Sequence, residues 1–233
     1  MGAESRLTRA RRVLEQSPLN RPPRILDRKL GMIERTGRQK VAVIAGGYGC
    51  HEGPVDDPDW EVWAVNSIPV LDGKGRLRAD LRFDIHQRCA QSPDDLDLIR
   101  TCPVPIFVPD DLLDAGDNTV AVPMSMLAFG FPGAPFACSF AYQIALAYLW
   151  GFKTIGLFGV ELAWGPPRER TVEWASVSWW VGYMEAKGIK IVRPNGSRLG
   201  RHPYLYGIEY VEERDNTLEY LEIVEKHGEE IAG

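Results

Sequence analysis

Two adjoining segments of this chain most constrain its fold. Residues 137–152, ACSFAYQIALAYLWGF, have the apolar spacing of a buried helix, and Gly151 is placed to end it. Residues 153–162, KTIGLFGVEL, form the nearly continuous apolar run that fills a central strand of a parallel sheet. A helix joined to a buried strand by so short a connection is the repeating unit of α/β folds.

The same alternation extends to both sides of this unit. Strands are predicted at 41–45, 60–66, 81–86, 105–111 and 189–194, and a long aromatic helix at 170–188. The chain therefore predicts an α/β fold: a Rossmann-like, doubly wound, mostly parallel sheet with helices on both faces. We expect this domain to occupy residues 40–211, with a lid-like segment at about 162–182.

The segments outside the sheet allow several interpretations. Residues 1–39 are basic and predict short amphipathic helices, an arm that packs on the domain or on a second subunit. The tail at 212–233 predicts a charged terminal helix. In the lid-like segment, four tryptophans accompany Arg168 and Arg170, which suits stacking on a sugar or base and equally a lid or a dimer contact. The sequence therefore leaves open whether the chain forms a homo-oligomer.

Composition excludes several classes of protein. With 45% hydrophobic and 25% charged residues the chain forms a core, and its net charge of −5 gives no general affinity for nucleic acid. Four scattered cysteines without a CxxC pair indicate neither a zinc site nor a disulfide framework. The chain lacks an apolar run of about 18 residues and a secretory signal, so we expect a cytoplasmic protein without a membrane span.

Polar and glycine residues follow the first two predicted strands. In a doubly wound sheet, ligands bind beyond the strand ends where the strand order reverses. Gly46, Gly47 and Gly49 follow the first strand, and glycine lets a backbone approach a phosphate. Their spacing matches neither the dinucleotide nor the P-loop fingerprint, so a tight turn without a ligand stays open. Asn66 stands where NAD enzymes carry an acid, which disfavours NAD.

Three later positions are candidates for chemistry. His86 ends the third strand as a potential acid or base, and Asp84 on the same face can fix its tautomer; a structural histidine is the alternative. Ser139 either caps the long helix or borders an anion site at the positive end of the helix dipole. Glu161 either accepts ribose hydroxyls or is a surface acid.

Several short motifs, taken in order, resemble those of a known group of proteins. They are the glycine loop, WAVN, FDIH, a serine at the helix start, ALAYLWGFKTIGLFGVEL, GIKIVRPNGSRL and YLYGIEY. The chain resembles phage and prophage proteins with a Rossmann-like fold. Those are distantly related to the family 42 sialyltransferases and to the archaeal-type 6-hydroxymethylpterin pyrophosphokinases. The resemblance covers roughly residues 40–210.

The resemblance implies a set of nucleotide-binding residues. The glycines of the first loop would approach the phosphates, Asn66 the nucleotide–sugar, and Ser139 the phosphates or donor sugar. Glu161 would bind the ribose, and Asn195 and Ser197, in the turn at 194–197, would border the base pocket. The chain departs from the sialyltransferases in two respects: its first loop lacks their serine, and no histidine lies between Leu162 and Ile189.

Three functions are compatible with these residues. The first is a nucleotide-sugar-dependent glycosyltransferase in which His86 is the base and Asp84 orients it. The second is a pyrophosphoryl or nucleotidyl transferase with magnesium held by carboxylates beside the glycine loop, namely Glu52, Asp56, Asp57 and Asp59. The third is a non-catalytic nucleotide-binding phage protein. Beyond a nucleotide or nucleotide-sugar ligand and this magnesium, no cofactor is implied.

Overall fold

The computed structural model describes residue 33, residues 36–162 and 167–197, and residue 199. The predictions for the terminal helix at 212–233, and for most of the arm at 1–39, lie outside the described residues. None of the described helices combines the length and the apolar character needed to cross a membrane.

The described residues contain seven strands, which form one sheet in which all neighbouring strands are parallel. They are β1 (Lys40–Ile44), β2 (Trp60–Val65), β3 (Leu81–Phe83), β4 (Ile106–Val108), β5 (Thr119–Ala121), β6 (Thr154–Phe158) and β7 (Lys190–Val192). Their order across the sheet is β5-β4-β3-β2-β1-β6-β7. The predicted α/β fold is confirmed, and the strand order reverses between β1 and β6, where such folds bind ligands.

Four helices accompany the sheet in the described residues: α1 (Pro93–Thr101), α2 (Met124–Gly130), α3 (Ser139–Leu149) and α4 (Pro167–Ala186). Helix α1 begins with a capping box, because the Ser92 hydroxyl accepts from the backbone N–H of Asp95 while the Asp95 side chain accepts from that of Ser92. The sequence analysis did not predict α1, α2 or β5. The predicted third strand was also too long, since β3 ends at Phe83 and leaves Asp84 and His86 in the loop beyond it.

Aromatic side chains fill the core between the sheet and helices α3 and α4. Trp63 of β2 is completely buried and meets Trp150 and Phe152 edge to face, with ring centroids 5.5 and 5.6 Å apart. Trp180 of α4 is also completely buried, and its indole N–H donates to the carbonyl oxygen of Pro135 at 2.6 Å. From Pro167 onwards, the segment expected to be lid-like is helix α4, and Trp180 anchors the second half of that helix in the core.

Candidate functional site

The loop after β1 packs directly against the loop after β6. The N–H of Gly47 donates to the carbonyl oxygen of Gly159 at 2.9 Å, and a Cβ placed on Gly47 would stand 2.5 Å from that oxygen. Gly159 has a φ of +70°, and a Cβ there would overlap the carbonyl oxygen of Ala45. These two glycines therefore permit the close approach of two backbones at the switch in strand order.

The turn after β7 joins the same edge. A Cβ on Gly49 would overlap the ring of Pro194, and the Tyr48 hydroxyl donates to the carbonyl oxygen of Asn195 at 3.4 Å. The N–H of Asn195 in turn donates to Glu52 at 3.2 Å, while the buried Ser197 hydroxyl accepts from the backbone N–H at 199. The structure thus brings the glycine loop and the 194–197 turn together, although the Ser197 side chain serves that turn itself.

Backbone donors remain available on the glycine loop. The N–H groups of Gly46 and Tyr48 donate to no acceptor among the described residues, and both residues are exposed. Glu161 lies alongside, because a Cβ on Gly47 would stand 3.3 Å from the Cβ of Glu161. Backbone N–H groups without an acceptor among the described residues, on an exposed loop beside an acidic residue, match the needs of a phosphate followed by a ribose.

Asn66 follows β2 in a left-handed conformation, with a φ of +50° that asparagine tolerates better than most residues. Its backbone N–H donates to Phe83 at 2.8 Å, and its carbonyl oxygen accepts from Arg82 at 2.7 Å. Its side-chain Oδ1 is buried and has no hydrogen-bond partner among the residues that the structure describes. A buried, unsatisfied acceptor at a strand end is a site that a ligand hydroxyl or amine would satisfy.

Arg82 is a site-supporting residue that the sequence analysis missed. Only 3% of it is exposed, and its guanidinium donates to the carbonyl oxygens of Asn66 and Ile68, each at 2.7 Å. Burying a charge is unfavourable unless it is hydrogen-bonded, so these two contacts fix the course of the loop after β2. The sequence feature that could have predicted this role is the position of Arg82 inside the otherwise apolar strand segment LRF.

Asp84 and His86 form the hydrogen-bonded pair that the sequence predicted. Asp84 is 1% exposed, and its Oδ1 lies 3.0 Å from Nδ1 of the half-exposed His86. Gln91, another residue that the sequence analysis missed, donates from Nε2 to the same Asp84 oxygen at 2.8 Å and to the His86 carbonyl at 3.2 Å. The imidazole is therefore held through Nδ1, while Nε2 makes no hydrogen bond within the described part of the chain.

Carboxyl groups from three elements surround this imidazole. The hydrogen bond to Asp84 raises the pKa of His86; burial opposes that rise, and the charges of Asp84, Asp95 on α1 and Glu169 on α4 add to it. Burial, and then the charge of Glu169, raise the pKa of Glu173 on α4. His86 is consequently a stronger base than a free histidine, in a negatively charged setting.

This electrostatic setting predicts a pH-dependent contribution of His86 to stability. Because its folded pKa is raised above the ordinary value of about 6.5, the stabilisation is fully present below pH ~6.5 and is lost as pH rises through the folded pKa. Urea unfolding of wild type and His86→Ala at several pH values should show that the difference in their free energies of unfolding becomes smaller as pH rises above about 6.5. His51→Ala, an exposed histidine without a carboxylate partner among the described residues, is the control. A constant gap would refute the prediction.

The amino end of α3 lies towards the same sheet edge, because α3 ends at Leu149, a short connection before β6 begins at Thr154, and a helix in this position runs antiparallel to its strand. Its N-cap is Cys138, and Ser139 is the first helical residue, so Ser139 lies near the N-cap, as predicted, but does not itself cap the helix. Burial raises the pKa of the Cys138 thiol to about 11, so it stays protonated at neutral pH. The positive end of the helix dipole remains near the candidate site.

The four acids considered as magnesium ligands are all engaged within the protein. Each accepts a hydrogen bond or forms an ion pair: Glu52, Asp56, Asp57 and Asp59. Asp56, for example, accepts from the N–H of Gly73 at 2.9 Å. Across the described residues, no group of three or more histidine, cysteine or acidic side chains is arranged to hold a metal ion.

Two groups of residues thus share the carboxyl edge of the sheet. One lies at the ends of β1, β6 and β7, and the other, Asn66 with Asp84 and His86, at the ends of β2 and β3. Since neighbouring strands are about 4.8 Å apart, the ends of β1 and β3 are separated by roughly 10 Å. Comparisons with protein-family models, curated proteins and solved structures found no match for this chain.

Proposed function

We propose that this chain is a nucleotide-binding transferase, a nucleotide-sugar-dependent glycosyltransferase with His86 as its base. The observation that carries the proposal is the imidazole of His86, held by the buried Asp84 at the sheet edge that also contains the strand-order switch. A base with one nitrogen held by a carboxylate and the other open is the arrangement that general base catalysis requires.

The spacing of the two groups suits a nucleotide sugar. The switch at β1 and β6 would hold the nucleotide, with Glu161 at the ribose and the N–H groups of Gly46 and Tyr48 at the phosphates. The separation of roughly 10 Å from β1 to β3 spans a phosphate and a sugar ring. The anomeric carbon would then lie near His86, with the unsatisfied Oδ1 of Asn66 between them.

The reaction would be a direct displacement. His86 takes the proton of an acceptor hydroxyl, the acceptor oxygen forms a bond to the anomeric carbon, and the carbon–oxygen bond to the phosphate breaks. The phosphate leaves with that electron pair. The loop N–H groups and the positive end of the α3 dipole stabilise the departing charge. Among the alternatives, the magnesium-dependent one is disfavoured by the structural engagement of Glu52, Asp56, Asp57 and Asp59.

A thermal-shift panel tests nucleotide binding. Wild type and Glu161→Ala are melted with CMP, CDP, UDP, GDP, ATP and NAD, with and without magnesium. A ligand at a hundredfold excess over Kd adds about 2.7 kcal/mol of stability, which for a domain of this size raises Tm by roughly 5 to 10 °C. We expect a selective response to one base, lost in Glu161→Ala.

Asp117→Ala is the matched control, since Asp117 is exposed in the loop that leads into the amino end of β5. It should keep the wild-type response. No shift with any nucleotide, or an equal response in wild type and Glu161→Ala, would count against the proposed site.

A further inference from the structure

A cleft of about 520 Å³ opens at the carboxyl ends of β3, β4 and β5, separated by β2 from the β1–β6 switch. Its walls are mostly apolar and include Ile85, Val108, Val122, Met124 and Tyr142. The volume lies within the range of about 300 to 1,000 Å³ typical of small-molecule sites. It also lies at the sheet edge where α/β folds bind ligands.

Carboxylates give this cleft its charge. Asp110 and Asp111 line it, and the lining contains no lysine, arginine or histidine. Asp111 accepts from the backbone N–H of Arg88 at 2.9 Å, and the Arg88 guanidinium is engaged by Asp114 and by the Asp111 carbonyl oxygen. Asp110 is exposed, and its carboxylate has no hydrogen-bond or ion-pair partner among the described residues. The cleft thus presents two carboxylates without a cationic side-chain partner among the described residues, beside apolar walls.

We propose that this cleft binds a small molecule in which an apolar body carries a protonated amine. The apolar body would be buried against Val122, Met124 and Tyr142, and the ammonium group would pair with Asp110. The same carboxylates oppose an anionic ligand. This inference goes beyond the proposed function and does not depend on it, because it involves neither the nucleotide nor His86.

Three probes with the same apolar body and different charge test the proposal. Binding of 2-phenylethylamine, 2-phenylethanol and phenylacetate to the full chain is measured by isothermal titration at pH 7, without nucleotide. We expect the amine to bind most tightly and phenylacetate most weakly, with at least a tenfold difference in Kd between them. Equal affinities, a preference for phenylacetate or no binding of the amine to wild type would overturn the proposal.

Two pairs of variants locate the binding. Met124→Trp should fill the cleft and weaken amine binding at least tenfold, whereas Met126→Trp should not, because Met126 is similarly exposed on α2, 38% against 40%, but does not line the cleft. Asp110→Asn should weaken binding of the amine about tenfold while leaving that of the alcohol unchanged. Asp117→Asn is its control. Equal effects within either pair would place the amine elsewhere and refute the assignment.

Discussion

Gly159→Ala is expected to destabilise the protein by roughly 2 to 5 kcal/mol. The left-handed backbone at this position, with a φ of +70°, costs a residue with a Cβ about 1 to 2 kcal/mol. The new methyl group would in addition overlap the carbonyl oxygen of Ala45, and that backbone is held in place because the N–H of Ala45 donates to Phe158 at 2.8 Å. Relieving such overpacking typically costs a further 1 to 3 kcal/mol.

Urea unfolding measures this loss directly, and Gly188→Ala separates its two causes. Gly188 has a φ of +79°, but a Cβ there would meet nothing within 4 Å. Its substitution should therefore cost only the backbone term of about 1 to 2 kcal/mol. If both variants lose the same stability, the close approach of the β1 and β6 loops is not the constraint that the structure indicates.

His86→Ala is expected to lower kcat/KM for transfer by a factor of about 10² to 10⁴, the usual contribution of a positioned acid or base. Nucleotide affinity should stay within about threefold of wild type, because His86 lies at the end of β3 and the proposed nucleotide site at β1 and β6. Steady-state kinetics, with the donor identified by the thermal-shift panel, measure kcat/KM, and titration with the nucleotide measures its affinity. His51→Ala is the control, and undiminished turnover in His86→Ala would remove this residue from the mechanism.

Asp84→Asn gives the pH signature that a merely structural histidine would not produce. The reaction needs neutral imidazole, so kcat/KM of wild type should rise with pH through the raised pKa of His86. The hydrogen bond that His86 donates to Asp84 is the main cause of that raised pKa, so in Asp84→Asn the rise of kcat/KM should move to lower pH. An unshifted profile would show that Asp84 does not position the base.

The sequence predicted the elements that correspond to long apolar segments. β1, β2, β6 and α3 lie in the core of the sheet, and almost every residue of β1 and β2 is buried, so their segments show up as apolar runs. α2 was missed because its seven residues are too few for a periodic pattern. β5 was missed although it is no shorter than β3, β4 and β7, which were predicted. The capping box of α1, with Ser92 and Asp95, was a legible signal that was overlooked.

The sequence could predict the site only through one rule, that the carboxyl ends of the strands of a parallel sheet lie at the same edge. That rule located Asn66, Asp84 and His86 at one edge, and the pairing of Asp84 with His86 is confirmed. The contacts of Arg82 and Gln91 were not predictable, because they depend on how loops close over the sheet. Ser139 was predicted at or near the N-cap of α3, and the structure places it one residue after the cap, which Cys138 occupies.

The position of β1 between β2 and β6 also has a consequence during translation. Strands β1 to β5 pair with one another in the order in which they are synthesised. The other edge of β1 stays unpaired until β6 is synthesised, because Phe158 of β6 is the partner of Ile44. Roughly half of the chain must emerge in between, which takes on the order of 10 s at typical elongation rates. During that interval the nascent chain carries an open edge on an apolar strand, so its greatest exposure to aggregation falls on the ribosome.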